Sequence, residues 1–68
     1  MSDKIVKNSF GVKIWFDSAV ALMDDDLRER LHYEMAPCTE QEFFDAYAIL
    51  HEQEFGEEWE YAKINPVT

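Results

Sequence analysis

Apolar and polar residues alternate near the start of the chain. In residues 4–16, Val12, Ile14 and Phe16 fall on one side of an extended chain, and Trp15 falls on the other. The residues suited to a turn between two such runs are Asn8, Ser9 and Gly11. The pattern predicts a short β-hairpin, which must pack against helices because an isolated hairpin is only marginally stable in water.

After the predicted hairpin, the apolar spacing changes from two residues to three or four, which indicates helices. Asp17 or Ser18 is expected to cap a first short helix. The acidic run at residues 24–26 suits the start of a second helix, where the helix dipole favours negative charge. Its apolar stripe comprises Leu27, Leu31 and Met35. Pro37 is expected to end this helix near Met35 or Ala36.

The third helix has the strongest local signals. Thr39 and Glu42 have the spacing of a capping box, and Gly56 is a suitable C-terminal stop, so the sequence predicts a helix over about residues 40–54. The stretch 57–63 is expected to add one or two helical turns. The residues predicted to be largely buried are Leu27, Leu31, Phe43, Phe44, Tyr47, Leu50 and Phe55.

These elements define the expected architecture. Sixty-eight residues form one domain at most, so residues 1–68 are interpreted as a single small acidic domain. The order of elements predicts an α+β fold, in which a short N-terminal β-hairpin is followed by two to four helices packed on one face. A domain of this size has a thin core, because it buries only about 60% of the surface of its unfolded chain.

Charge is distributed unevenly along the chain. The formal net charge is −9, and residues 31–62 contain nine acids and no Lys or Arg. Such a surface repels nucleic acids and anionic membranes and attracts basic proteins. The alternative is that the acids serve only to keep the domain in solution.

Several classes of function are disfavoured. No stretch has the roughly 18 apolar residues of a membrane span, and the start lacks a signal-peptide pattern, so a cytoplasmic location is expected. His32, Cys38 and His51 do not have zinc-ligand spacing, and Cys38 is the single cysteine. No phosphate-binding loop or paired catalytic residues stand out. We therefore expect no enzyme activity, no cofactor, no metal and no direct binding of nucleic acid.

The third helix provides the candidate interaction surface. At 100° per residue, the residues opposite the aromatic arc are Glu42, Asp45, Ile49, Glu52 and Gln53. One interpretation is that Ile49 is an apolar anchor inside an acidic rim. The simpler alternative is a solvated helix face with one stray apolar residue. The complete set of candidate partner-binding residues is Glu40, Glu42, Asp45, Ile49, Glu52, Glu54, Glu57, Glu58 and Glu60.

Three aromatic residues are ambiguous between core and interface. Trp15, Trp59 and Tyr61 could anchor a partner, because aromatic residues are enriched at binding hot spots. In so short a domain they could equally complete the core, and both interpretations stay open.

A set of short motifs is shared with a known group of proteins: MDDDLRE at 23–29, LH at 31–32, APCTEQEF at 36–43, FGEEWE at 55–60 and NP at 65–66. They resemble small acidic proteins of phages, prophages and other mobile elements, over roughly residues 12–67. The resemblance carries over no catalytic residues. Compact acidic proteins of such elements include anti-CRISPR proteins and other anti-defence inhibitors, some of which mimic DNA, so the resemblance implies that class by analogy.

Two hypotheses follow. In the first, the chain is a non-enzymatic inhibitor of a CRISPR or other defence protein, and its acidic surface occupies a groove that this basic host protein uses for nucleic acid. In the second, it is a small protein–protein adaptor or a homodimeric structural subunit of a phage or mobile element, joined through Ile49 and the exposed aromatic residues.

Overall fold

The computed structural model describes residues 4–36 and 38–65. Its elements are β1 (Ile5–Lys7), β2 (Lys13–Trp15), α1 (Phe16–Ala21), α2 (Asp25–Met35), α3 (Glu40–Phe55) and a 3-10 helix (Glu60–Lys63). The predicted α+β class is confirmed, since a two-stranded antiparallel hairpin precedes three helices.

The hairpin places one apolar pair against the helices. β1 and β2 pair in the register Ile5↔Trp15, Val6↔Ile14 and Lys7↔Lys13. Val6 and Ile14 are buried, whereas the residues on either side of each are exposed. The sheet therefore has one face on the core and one in solvent, and Trp15 lies on the solvent face as the alternation predicted.

The first helix begins earlier than predicted. Phe16, expected to continue the strand, is the first residue of α1, and its N–H still donates to the carbonyl of Lys4 at 3.0 Å. Trp15 is the N-cap and makes no side-chain capping bond, so the prediction of Asp17 or Ser18 as the cap was wrong. The physical reason is that Phe16 makes the last hydrogen bond of the sheet and is also the first residue of α1. Asp17 therefore lies inside the first turn of the helix and not before it.

The second helix follows the prediction at both ends. Asp24 is the N-cap, and its Oδ1 accepts hydrogen bonds from the N–H groups of Asp26 at 3.0 Å and Leu27 at 3.2 Å. The helix ends at Met35, and Ala36 is extended. Pro37, the residue expected to end the helix, lies outside the described residues.

The third helix begins with the predicted capping box. The Thr39 hydroxyl accepts the Glu42 N–H at 3.2 Å, and Glu42 Oε1 accepts the Thr39 N–H at 3.3 Å. At the other end, Gly56 has a φ of 77°, the left-handed conformation that closes a helix most readily in glycine. These two signals set the length of α3.

The core lies between α3 and the elements that pack against it, which are the hairpin, α1, α2 and the C-terminal segment. Its buried members are Val6, Ile14, Ala19, Met23, Leu27, Leu31, Phe43, Phe44, Tyr47 and Trp59. Tyr47 is 0% exposed, and its hydroxyl accepts the backbone N–H of Asp24 at 2.7 Å, which joins α3 to the start of α2. The Trp59 ring lies 4.6 Å from that of Tyr47 and 5.2 Å from that of Phe44.

Five of the seven residues predicted to be buried are buried, and the other two lie toward the end of α3. Leu50 is only partly buried, and Phe55 is 52% exposed, so its predicted burial was wrong. The reason is that the stretch after Gly56 folds back as an extended segment and a short 3-10 helix. Trp59 from that stretch packs beside Tyr47, so the core is completed without Phe55.

A buried amide connects the hairpin turn to the C-terminal segment. Asn8 is 6% exposed, and its Oδ1 accepts the N–H groups of Phe10 and Val12, each at 3.0 Å. Its Nδ2 donates to the carbonyls of Tyr61 at 2.9 Å and Ile64 at 2.8 Å. Both acceptor sites and both donors of the amide are therefore satisfied, as a buried amide requires.

A second amide connects the outer edge of β1 to α3. Gln41 Oε1 accepts the N–H of Lys7 at 2.8 Å, and Gln41 Nε2 donates to the carbonyl of Lys7 at 2.7 Å. The same Nε2 donates to Asp45 Oδ1 at 3.0 Å. The first turns of α3 are thus held directly beside the strand.

Candidate interaction surface

The outer side of α3 is acidic because its apolar positions are used on the inner side. Phe43, Phe44 and Tyr47 face the core, and at 100° per residue this directs Asp45, Ile49 and Glu52 the other way. Asp45 and Glu52 are exposed, and Ile49 is 60% exposed. The two carboxylates therefore flank an apolar side chain in solvent.

A shallow cleft adjoins this face. It has a volume of about 380 Å³ and is lined by Asn8, Ser9, Phe44, Asp45, Ala48, Ile49, Glu52, Glu58 and Ala62. Three carboxylates thus line a surface whose apolar part comes from α3 and the C-terminal segment. We call this region, defined by Asp45, Ile49, Glu52 and Glu58, the acidic cleft.

The structure does not bring all nine candidate residues together. Glu40 lines a different groove, and the Glu42 carboxylate is engaged in the capping box. Glu54 is on the side of α3 that faces α2, where its Oε1 lies 3.2 Å from Arg30 Nη1. Glu57 and Glu60, together with Glu58, line a neighbouring cleft of about 460 Å³ that also contains Lys63 and His51.

Two arginines neutralise carboxylates outside the acidic cleft. Besides the Arg30–Glu54 pair, Arg28 Nη2 lies 3.3 Å from Asp25 Oδ1 within α2. Both pairs involve exposed side chains, so each contributes little to stability. Arg28 and Arg30 therefore pair with Asp25 and Glu54, and not with the carboxylates of the acidic cleft.

Sequence reasoning did not anticipate the two amides that shape the acidic cleft. Gln41 holds Asp45 through its Nε2, and Asn8 holds the C-terminal segment that carries Glu58 and Ala62 toward the cleft. An Asn before a turn and a Gln in a first helical turn are too common to indicate such roles. Lys7, the partner of Gln41 on β1, lies 34 residues away, and Tyr61 and Ile64, the partners of Asn8 in the C-terminal segment, lie 53 and 56 residues away, so no local pattern reveals these contacts.

The structure also contains an apolar groove on the other side of α3. It has a volume of about 810 Å³ and is lined by Phe16, Val20, Arg28, Glu29, His32, Tyr33, Ala36, Cys38, Thr39, Glu40 and Phe43. Tyr33 is 84% exposed at its rim. The groove lies between α1, α2 and the start of α3.

The comparison with known families decides the class of protein. A family model described as anti-CRISPR protein AcrIC5 matches residues 7–59, more than three quarters of the chain. The chain belongs to the AcrIC5 family of anti-CRISPR proteins. The match covers Lys7 at the end of β1, the whole of β2, all three helices and Trp59. No curated protein is significantly similar to the chain.

AcrIC5 membership supports the role of an anti-CRISPR inhibitor, as the resemblance implied. Anti-CRISPR proteins are generally inhibitors rather than enzymes, and AcrIC5 membership implies binding to a host CRISPR–Cas protein. In residues 4–36 and 38–65 no helix is long and apolar enough to cross a bilayer. Within the same ranges, no three His, Cys, Asp or Glu side chains are grouped so that they could hold a metal ion.

Among the described residues of this AcrIC5-family protein, Tyr47 has a clearly shifted pKa. Burial raises the pKa of Tyr47 above its ordinary value of 10.0, and the Asp24 carboxylate raises that pKa further, while the hydrogen bond from the Asp24 backbone lowers it. Tyr47 belongs to the core and is 0% exposed. The perturbed pKa therefore reflects packing and marks no reactive site.

Proposed function

We propose that this protein inhibits a host CRISPR–Cas protein by placing its acidic cleft and the acids around it in a Lys/Arg groove meant for nucleic acid. The observation that carries the proposal is the arrangement of Asp45, Glu52 and Glu58 around the exposed Ile49. Inhibition is steric and electrostatic, and it takes place in the host cytoplasm without catalysis or a cofactor.

The negative charge of the C-terminal half supports a long-range electrostatic contribution to binding of the target. Residues 31–62 carry nine acids and no Lys or Arg, so their field attracts a basic groove before contact. Once docked, Ile49 excludes water from the centre of the contact, and the carboxylates pair with cations at its rim. Electrostatic attraction acts chiefly on the association rate and apolar contact on the dissociation rate.

The candidate carboxylates outside the acidic cleft are expected to contribute to different extents. Glu57 and Glu60 extend the acidic surface past Glu58 into the neighbouring cleft. Glu40, Glu42 and Glu54 contribute to the overall field, although Glu42 and Glu54 already have partners within the chain. The acidic cleft is therefore where contact with the target is expected to be closest.

The test is a charge reversal with a matched control. Replacing Asp45, Glu52 and Glu58 by Lys changes the formal net charge from −9 to −3, since each exchange adds two charges. Asp17, Asp26 and Glu34 are exposed acids of α1 and α2, and their replacement by Lys gives the same net charge. Glu42 is spared because its carboxylate caps α3.

The assay is phage plating on a CRISPR-immune host in which the unchanged protein allows the phage to form plaques. Both variants are compared with the unchanged protein in this assay. We expect the cleft variant to lose inhibition and the control variant to retain it. Thermal unfolding must first show that both variants fold. Full inhibition by a folded cleft variant would refute the proposal. It would leave the adaptor hypothesis, with Ile49 and Trp15 as the next residues to change.

A further inference from the structure

The solvent face of the hairpin combines an aromatic residue with cationic residues. Val6 and Ile14 point into the core, so the alternating residues Ile5, Lys7, Lys13 and Trp15 point outward. Trp15 is 54% exposed and Ile5 is 51% exposed. We call these four residues the hairpin face.

The charge of this face is opposite to that of α3. Residues 4–16 contain three lysines and no Asp or Glu, in a chain whose net charge is −9. Exposed charges are screened over about 8 Å at physiological ionic strength, so an approaching ligand responds mainly to the local charge. The hairpin face thus carries two lysines and no acid, and the nearest carboxylate established by contact is Asp45, which shares the Gln41 amide with the carbonyl of Lys7.

The two outward lysines stand directly opposite each other. Backbone hydrogen bonds join Asn8 to Val12 and Phe16 to Lys4, so by alternation the Lys7–Lys13 pair is non-hydrogen-bonded. Side chains are closest in such pairs, and like charges directly opposite each other destabilise a sheet. An anion bound between them would relieve this repulsion.

The neighbouring outward pair offers a flat apolar surface. Trp15 lies opposite Ile5, two residues along the strands from the lysine pair, which is about 7 Å at the rise of a strand. Exposed aromatic rings on a sheet, with cations beside them, are the elements by which proteins hold single-stranded nucleic acids. The bases stack on the ring, and the cations contact the phosphates.

We propose that the hairpin face binds single-stranded RNA, in contrast to the expectation from the net charge of −9 that the chain binds no nucleic acid directly. The choice of RNA over another anionic partner rests on the proposed function, because a CRISPR effector carries a guide RNA beside its DNA groove. The acidic cleft then contacts protein cations, while the hairpin face contacts an exposed stretch of the guide. A base stacks on Trp15, and Lys7 and Lys13 contact neighbouring phosphates.

The test uses a twelve-nucleotide oligouridylate and the protein alone, without any CRISPR protein. Of the two tryptophans, Trp59 is 3% exposed and Trp15 is 54% exposed, so quenching of tryptophan emission on adding RNA reports stacking on Trp15. Replacing both Lys7 and Lys13 by Gln should weaken binding on the order of tenfold at 0.1 M salt. It should also flatten the dependence of log K on log salt by about 1.4, at about 0.7 per phosphate contact.

Two further variants sharpen the test. Trp15→Leu should abolish the quenching and weaken binding on the order of tenfold, the lower part of the range for one stacked base. Lys63→Gln is the matched control, because it removes a lysine from the 3-10 helix and leaves the hairpin face intact. It should bind oligouridylate like the unchanged protein. Circular dichroism confirms that each variant retains its helices.

Oligothymidylate and a poly-glutamate peptide are tested beside oligouridylate as anionic probes that are not RNA. The inference would be overturned if oligouridylate did not bind, or if the double lysine change left its binding unaffected. It would also be overturned if only oligothymidylate or poly-glutamate bound. Binding of both oligonucleotides supports it, because phosphate contacts and stacking do not distinguish RNA from DNA. The result is independent of the charge reversal in the acidic cleft. A failure of RNA binding is therefore distinguishable from a failure of the proposed function.

Discussion

Replacing Asn8 by Ala should destabilise the protein more than any change at a neighbouring exposed residue. The change removes four hydrogen bonds, two from the N–H groups of Phe10 and Val12 and two to the carbonyls of Tyr61 and Ile64. A typical hydrogen bond contributes about 1 kcal/mol net, and water can replace part of these four, so we expect a loss of about 2–4 kcal/mol.

That loss is large for a chain of this length. At about 0.05–0.15 kcal/mol per residue, 68 residues give a total stability of roughly 3–10 kcal/mol. Urea unfolding monitored by circular dichroism is the assay. With an m-value of about 1 kcal/mol/M, the midpoint should fall by about 2–4 M. Ser9→Ala, at the exposed neighbour, is the control and should change stability by at most about 0.5 kcal/mol.

Asn8→Asp separates the two halves of the hydrogen-bond set. The carboxylate still accepts from Phe10 and Val12 but cannot donate, so its second oxygen faces the carbonyls of Tyr61 and Ile64. We therefore expect Asn8→Asp to keep the contacts within the turn, to lose those to the C-terminal segment, and to unfold at a lower urea concentration than the unchanged protein. A midpoint for Asn8→Ala within 0.5 M of the unchanged protein, on the same assay, would refute the reasoning.

Two more predictions concern α3. Because burial raises the pKa of Tyr47, its contribution is complete below the ordinary value of 10.0 and is lost as pH rises through the higher folded value. Thermal unfolding between about pH 9 and 11 should show a steeper fall for the unchanged protein than for Tyr47→Phe, and equal slopes would contradict this. Thr39→Ala removes the capping hydroxyl of α3 and should cost about 1 kcal/mol in urea unfolding, with Ser18→Ala as the control.

The parts of the fold that could be predicted are those specified by neighbours in sequence. The capping box of Thr39 and Glu42, the Asp24 cap and the Gly56 stop each involve residues within a few positions. The inward stripe of α3 follows from the period of the helix. These local rules were sufficient for the α+β class and for the boundaries of α2 and α3.

The remaining features depend on contacts between distant residues. Trp59 and Phe55 are both aromatic and lie close together in sequence, yet one is buried and the other exposed, because the chain reverses after Gly56. Contacts between distant residues also explain why the nine candidate residues do not form one surface. Glu54 was grouped with Glu52 by composition, but it is directed at Arg30 on α2, whose position no local pattern specifies.

The side chain of Gln41 has a consequence for how the protein behaves at high concentration. An exposed strand edge offers its N–H and C=O groups to any other extended chain, which promotes edge-to-edge aggregation. At Lys7 both groups are already occupied by the Gln41 amide, at 2.8 and 2.7 Å. One side chain thus makes the two bonds that an incoming strand would make at this residue. A hairpin of two three-residue strands is thereby protected at this point without a third strand to cover it.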